Sequence, residues 1–160
     1  MTLVDHQATV DHEVMWIDGR GSEVLAVPEC RRLLAMAANE HRHGHLGVPK
    51  VGAPLVLPIN YAVHGPDVVV RIGEGLFQQV EAQLVAFQVD GVTTGGLEGD
   101  QSKQTWSVLV QGLAIEDRAN VPMRHVPQPE VVHPGERVVR IRADVVTGRR
   151  FPTLPASARG

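Results

Sequence analysis

The sequence predicts a mainly β domain, a six-stranded antiparallel barrel, closed or nearly so, with two short helices beside it. Three observations lead there. After Gly44 the chain is a succession of short segments rich in Val, Ile and Leu, separated by Gly, Pro and Asp-Gly signals. Helical spacing is pronounced only once, near the start. Segments as apolar as PLVLPINYAV would leave adhesive sheet edges, and closing the sheet removes them.

In chain order, residues 1–13 are polar and form a flexible N-terminal arm; residues 14–151 form the domain and residues 152–160 a flexible tail. VMWID (14–18) is a short strand turning at Asp18-Gly19. In VPECRRLLAMAANEH, Pro28 suits a first helical turn, and Cys30, Leu33, Leu34 and Ala37 fall at i, i+3, i+4 and i+7. That is an amphipathic helix with Arg31 and Arg32 on its wet side. HLGV, PLVLPINYAV and DVVVRI follow as strands, the last two forming a hairpin about Gly65-Pro66-Asp67. LFQQVEAQ makes barely two turns of helix. LVAFQVD is a strand ending at Asp90-Gly91, and GVTTGGLEGDQSK a Gly-rich loop. TWSVLVQGLAIED is a long strand bent or bulged at Gly112. The Pro-punctuated VPMRHVPQPEVVHPGE connects it to one last strand, RVVRIRADVVTGRRF, and has room for a little helix. The six aromatic side chains fit a narrow barrel filled with small β-branched residues.

Composition limits what such a domain does. A formal net charge of −3 gives no electrostatic case for nucleic acid, and few aromatics are present to stack on bases. No apolar run reaches the roughly 18 residues of a membrane span. The single cysteine, Cys30, precludes an intrachain disulfide and suits a reducing compartment, so the cytoplasm is expected. Cys30 lies on the apolar helix face and is read as packing. His41, His43 and His45 alternate as residues on one strand face would, but no Asp, Glu or Cys completes a metal site; His45 is the one best placed to touch a ligand. His125 and His133 fall in the Pro-rich connection and are read as exposed. The arginines at 137, 140, 142, 149 and 150 are read as a solvated face, with Arg149 and Arg150 able to assist an anionic ligand. No nucleophile motif or phosphate loop is present.

Four landmarks, in order, resemble the flavin-binding split β-barrel proteins of the pyridoxamine 5′-phosphate oxidase-like family, across about residues 24–150. ECRRLLA leads into GHLGV, where the family commonly has Gly-(Arg/His)-Leu-Ala. PLVLPINYAVHGPDVVVRI is similar to its Val-Pro-(Val/Ile)-Asn-Tyr, turn, and strand ending in Arg. VAFQVD followed by TWSVLVQGLAIE is similar to Ala-Phe-Glu-Val-Asp and Trp-Ser-Val-x-Val-x-Gly. VVRIRADVVTGRRF is similar to its closing strand with Thr-Gly-Arg-Arg.

The resemblance implies a homodimeric split barrel with FMN between the subunits. It implies that the backbone around Leu57, Pro58, Ile59 and Asn60 lines the isoalloxazine ring, and that Arg71 reaches the ribityl phosphate. Ile72, Gly73, Glu74 and Gly75 would form the turn against that phosphate, and Trp106 and Ser107 would cover the cofactor from the partner subunit. The sequence departs from the pattern at the phosphate. Ile72, Leu76 and Phe77 stand where the family has Thr and Ser/Thr-Lys, and Glu74 adds a negative charge. Each lost charged hydrogen bond costs about 1.5–3 kcal/mol. The expected function is a flavin-dependent oxidoreductase acting on a small molecule, with FMN or the deazaflavin F420. True pyridoxamine 5′-phosphate oxidase activity is not expected, because PTLPASARG lacks the family's Arg- and Trp-rich substrate segment. The alternative is a barrel that has lost flavin and serves as an interaction module or binds haem or another planar ligand.

Overall fold

The computed structural model describes residues 22–94, 103–117, 126 and 135–152. They form β1 (Glu23–Val24), α1 (Val27–Asn39), β2 (His43–Val48), β3 (Leu55–His64), β4 (Asp67–Ile72), α2 (Glu74–Val80), β5 (Leu84–Thr94), β6 (Lys103–Glu116), β7 (Arg137–Ile141) and β8 (Val145–Pro152). Every strand pairing is antiparallel. The strand order is β1-β8-β6-β5-β2-β3-β4-β7, and a further β6–β7 pairing closes β6, β5, β2, β3, β4 and β7 into a six-stranded barrel. β8 and β1 extend the sheet beyond the closure.

The closure depends on β6 changing partners. Its residues 104–111 pair with β8, and Ala114 to Glu116 pair with β7. Gly112 lies at the changeover, where a Cβ would overlap the Arg142 carbonyl, so only glycine lets the two backbones approach. The expected single last strand is therefore two. Arg142 to Asp144 separate β7 from β8, and the Arg142 amide donates to the Leu113 carbonyl at 3.0 Å.

Asp90-Gly91 does not end β5, which runs on to Thr94. Gly91 is there because the Trp106 indole, directly across on β6, fills the place of a side chain. The β3–β4 hairpin closes through Gly65 and Pro66, with Gly65 at φ 58°. A positive φ at the first central position is where glycine is favoured. VMWID, the greater part of the Gly-rich loop and of the Pro-rich connection, and both termini lie outside the described residues.

The core follows the alternation of the strands. Leu46, Val48, Val68, Val70, Val85, Phe87, Val89, Val108 and Val110 point inward and are almost wholly buried. Cys30, Leu33, Leu34 and Ala37 of α1 pack on them, as their helical spacing predicts. Gly148 of β8 admits the Cys30 sulfur, which a Cβ there would strike. Burial pushes the Cys30 thiol up and keeps it neutral. The Tyr61 hydroxyl donates to the Leu34 carbonyl at 2.7 Å, tying α1 to β3, and its ring tilts against Phe87 at 4.9 Å. Burial likewise pushes the Tyr61 phenol up.

Candidate functional site

The same alternation that fills the barrel sets a second group of side chains on its outside. On β3, Tyr61 points inward and Ile59 packs on the core, so Val56, Pro58 and Asn60 point outward. Cross-strand register then builds rows. Pro58 is opposite His45, and His45 opposite Gln88. Val56 is opposite Gly47, and Gly47 opposite Ala86. Asn60 is opposite His43. Tyr61 pairs with Val70, so Asn60 and Arg71 are the next residues along β3 and β4. Arg71 has the opposite parity to the buried Val68, Val70 and Ile72 and points to the outer side of β4, where Val69 of the same parity is covered.

His45, Gly47, Val56, Ala86 and Gln88 enclose a shallow groove of about 420 Å³ on this face. The side chains around it are unusually apolar for a surface: Val56 is 61% exposed, Leu84 69% and Val145 50%. Its polar centre is Gln88. The Gln88 amide nitrogen donates to Ser107 Oγ at 3.1 Å and also to Asp90 Oδ1. Those two acceptors orient the amide and leave its carbonyl oxygen to accept from elsewhere.

At one end of the face stands Arg71, one-fifth exposed. Its only hydrogen-bond partner among the described residues is Glu136, which accepts from Nη1 at 3.5 Å, and its shielded Nε has none. Arg137 differs. It donates to Glu74 and Glu116, each at 2.9 Å, and lies over the Phe77 ring at 5.1 Å. It therefore bolts α2 to the barrel, and its pKa is raised chiefly by the Glu116 hydrogen bond.

The structure thus gathers Pro58, Asn60, Arg71 and Ser107 on one face. Leu57 and Ile59 give it backbone but turn their side chains inward. The structure turns the side chains of Ile72 and Trp106 to the core instead. Ile72 is 4% exposed, on the core side of β4. Trp106 is 1% exposed inside its own barrel over Gly91, so its ring cannot cover a ligand bound to another subunit. Ile72 to Gly75 lead from the end of β4 into α2. Gly73 caps α2 with φ −74°, and Glu74 and Gly75 begin the helix. A Cβ at Gly73 or Gly75 would meet nothing within 4 Å, so no backbone of this chain requires either glycine. Phe77 is 5% exposed beneath Arg137, so the position of the family's lysine has become core.

Arg149 and Arg150 are also committed within the chain. Arg149 donates to Ser22 Oγ at 3.3 Å, and Arg150 pairs with Glu23 and Glu29. Of the histidines, His43 and His45 are exposed on the outer face, and His41 sits before β2 with φ 55°. The sequence singles out neither Gln88 nor Glu136, and His43 only as one of three alternating histidines. Parity with Leu46 on β2 and Phe87 on β5 is the signal that finds His43 and Gln88.

A family model described as pyridoxamine 5′-phosphate oxidase matches residues 27–150. The chain belongs to the pyridoxamine 5′-phosphate oxidase-like family. A solved FAD-binding protein from Mycobacterium smegmatis is 26% identical, with TM-score 0.66, over 82% of this chain and 100% of its own. A putative pyridoxamine 5′-phosphate oxidase from Corynebacterium glutamicum is 20% identical with TM-score 0.61, over 87% and 99% of the two chains. An FAD-binding protein from Mesorhizobium loti is 22% identical with TM-score 0.61, over 81% and 97%. These last two share the fold. No curated protein matches the sequence. No described helix is long and apolar enough to cross a membrane.

A flat apolar groove with an oriented amide and two exposed histidines offers stacking area and edge hydrogen bonds. Among the described residues from Ile72 to Phe77 there is neither a side-chain hydroxyl nor an ammonium, and Arg71 is the cation beside Asn60.

Proposed function

We propose that this protein is a dimeric flavin-binding split barrel acting as an oxidoreductase on a small molecule in the cytoplasm, with FMN or F420 as its cofactor. The flavin ring lies on the outer face along Pro58, Asn60, His45 and Gln88, its phosphate end reaches Arg71, and a second copy of the chain covers it. Arg71 carries this reading. A guanidinium that is mostly shielded yet makes one long contact is under-used, and it stands in the same row as Asn60 at the end of an apolar groove. The 26% identical FAD-binding protein supports a flavin on this barrel. The exposed Val56, Leu84 and Val145 support a second subunit.

When bound, the flavin supplies the hydride or electron chemistry. The chain's own groups hold and orient it: Gln88 and the β3 backbone at the ring edge, Arg71 at the phosphate, and the apolar side chains excluding water. The test is a titration with FMN and with F420, followed by optical change, on the wild type and on Arg71→Ala. Saturable micromolar binding is expected for the wild type. The variant leaves Glu136 uncompensated and binds on the order of tenfold more weakly, the usual worth of a charged hydrogen bond. Equal affinities would remove Arg71 from the site. Failure of both cofactors to bind would overturn the flavin reading in favour of an interaction module, and a Soret band in the purified protein would favour haem.

A further inference from the structure

We infer that Asp90 is a positioning residue that makes Gln88 and Ser107 a reader of a lactam edge, an N–H beside a carbonyl, on the ring that the outer face binds. The inference deepens the proposed function and rests on the flavin ring lying along Gln88.

The reader is built from two neighbouring strands. Gln88 and Asp90 are alternate residues of β5 and share its outer side, and Ser107 stands directly opposite Asp90 on β6. Asp90 is exposed, and Gln88 and Ser107 are half-buried. The Gln88 amide nitrogen donates to Asp90 Oδ1 and, at 3.1 Å, to Ser107 Oγ.

An ionised carboxylate only accepts, so the end of the Gln88 amide that meets Asp90 is its NH2. Asp90 thereby sets the orientation of a group whose two ends are nearly alike in shape. Both amide protons are then engaged, and the Gln88 carbonyl oxygen has no partner among the described residues. The same choice sets Ser107. Its oxygen accepts from Gln88, which leaves its own O–H proton to donate outward. An acceptor and a donor therefore stand side by side at the edge of the apolar groove. The edge that complements them is a donor beside an acceptor, the N–H and C=O of a lactam or imide, as on the pyrimidine side of a flavin or deazaflavin. A neutral amide at position 90 could donate to the Gln88 carbonyl and reverse the pattern, which a carboxylate cannot do.

Riboflavin and N3-methylriboflavin differ only at that N–H, and neither carries a phosphate for Arg71. Fluorescence titrations of the full chain with both provide the test. The wild type is expected to bind riboflavin about three- to tenfold more tightly than the methylated form, the usual worth of one hydrogen bond. Asp90→Asn should at least halve that ratio without moving the denaturant midpoint, and Asp90→Glu, which keeps the carboxylate, should preserve it. In a Gln88→Ala background, Asp90→Asn should have no further effect, because Asp90 acts through Gln88. No preference in the wild type, or a preference that Asp90→Asn leaves unchanged, overturns the inference. If no flavin binds, the flavin reading fails instead. Phthalimide against N-methylphthalimide, followed by ligand-observed NMR, then decides alone. A wild-type preference for phthalimide that Asp90→Asn loses upholds the reader; equal binding, a preference the variant keeps, or binding of neither removes it.

Discussion

Strands β2, β5 and β6 carry two surfaces made of alternate residues. Gly44, Leu46 and Val48 of β2, Phe87 and Val89 of β5, and Trp106, Val108 and Val110 of β6 look inward, almost without exposure. His43, His45 and Gly47, then Ala86 and Gln88, then Ser107 and Leu109, look outward and end on a shallow groove. The inner surface is complete. Glycines at 44, 91 and 148 are matched to Phe87, Trp106 and Cys30, each of which fills the place of a Cβ. The outer surface is incomplete, with exposed Val56 and Leu84, an amide with an unused carbonyl, and an arginine with a shielded donor to spare. The difference teaches where stability and where function reside. The inner face is filled, with the Trp106 indole N–H its one unpaired polar atom among the described residues, and the outer face has groups left without a partner among them.

The comparison is broken most severely from inside. Phe87→Ala removes the wholly buried ring against Tyr61 and over Gly44, and should destabilise the fold by about 4 kcal/mol, read as a lowered denaturant midpoint. A loss below about 1 kcal/mol would mean that the inner face is not the tightly filled one. From outside, Val56→Lys with Leu84→Lys should change stability by less than about 0.5 kcal/mol per site within a subunit. The same pair should turn a dimer into a monomer in sedimentation, because charges replace the most exposed apolar groups of the face. A dimer that survives both changes would place the subunit contact elsewhere.

Much of the inner face is legible in the sequence, because burial imposes a period. Cys30, Leu33, Leu34 and Ala37 announce α1, and Gly65-Pro66 announces the hairpin. What the sequence hides are pairings between distant residues. Asp90-Gly91 has the form of a turn, and only Trp106, fifteen residues later, makes Gly91 a strand glycine. The separation of β7 from β8 depends on β6 changing partners at Gly112, which no local pattern records. The candidate site is legible in part. Pro58, Asn60, Arg71 and Ser107 do lie on one face. Trp106 and Ile72 were drawn to the ligand by their place in the family motifs, although their parity with Val108 and with Val70 marks them as core. Glu136 lies at the end of a Pro-rich connection, and nothing in its surroundings announces that it will meet Arg71, 65 residues away.

The most direct test of two faces with two roles is a methyl-resolved NMR titration with excess FMN. The Val56, Ala86 and Leu109 methyls of the outer face are expected to shift with flavin concentration, while Val68, Val108 and Val110 inside the barrel hold their positions. Shifts confined to the inner set, or outer methyls that do not move while FMN binds, would contradict the assignment of the flavin to this face.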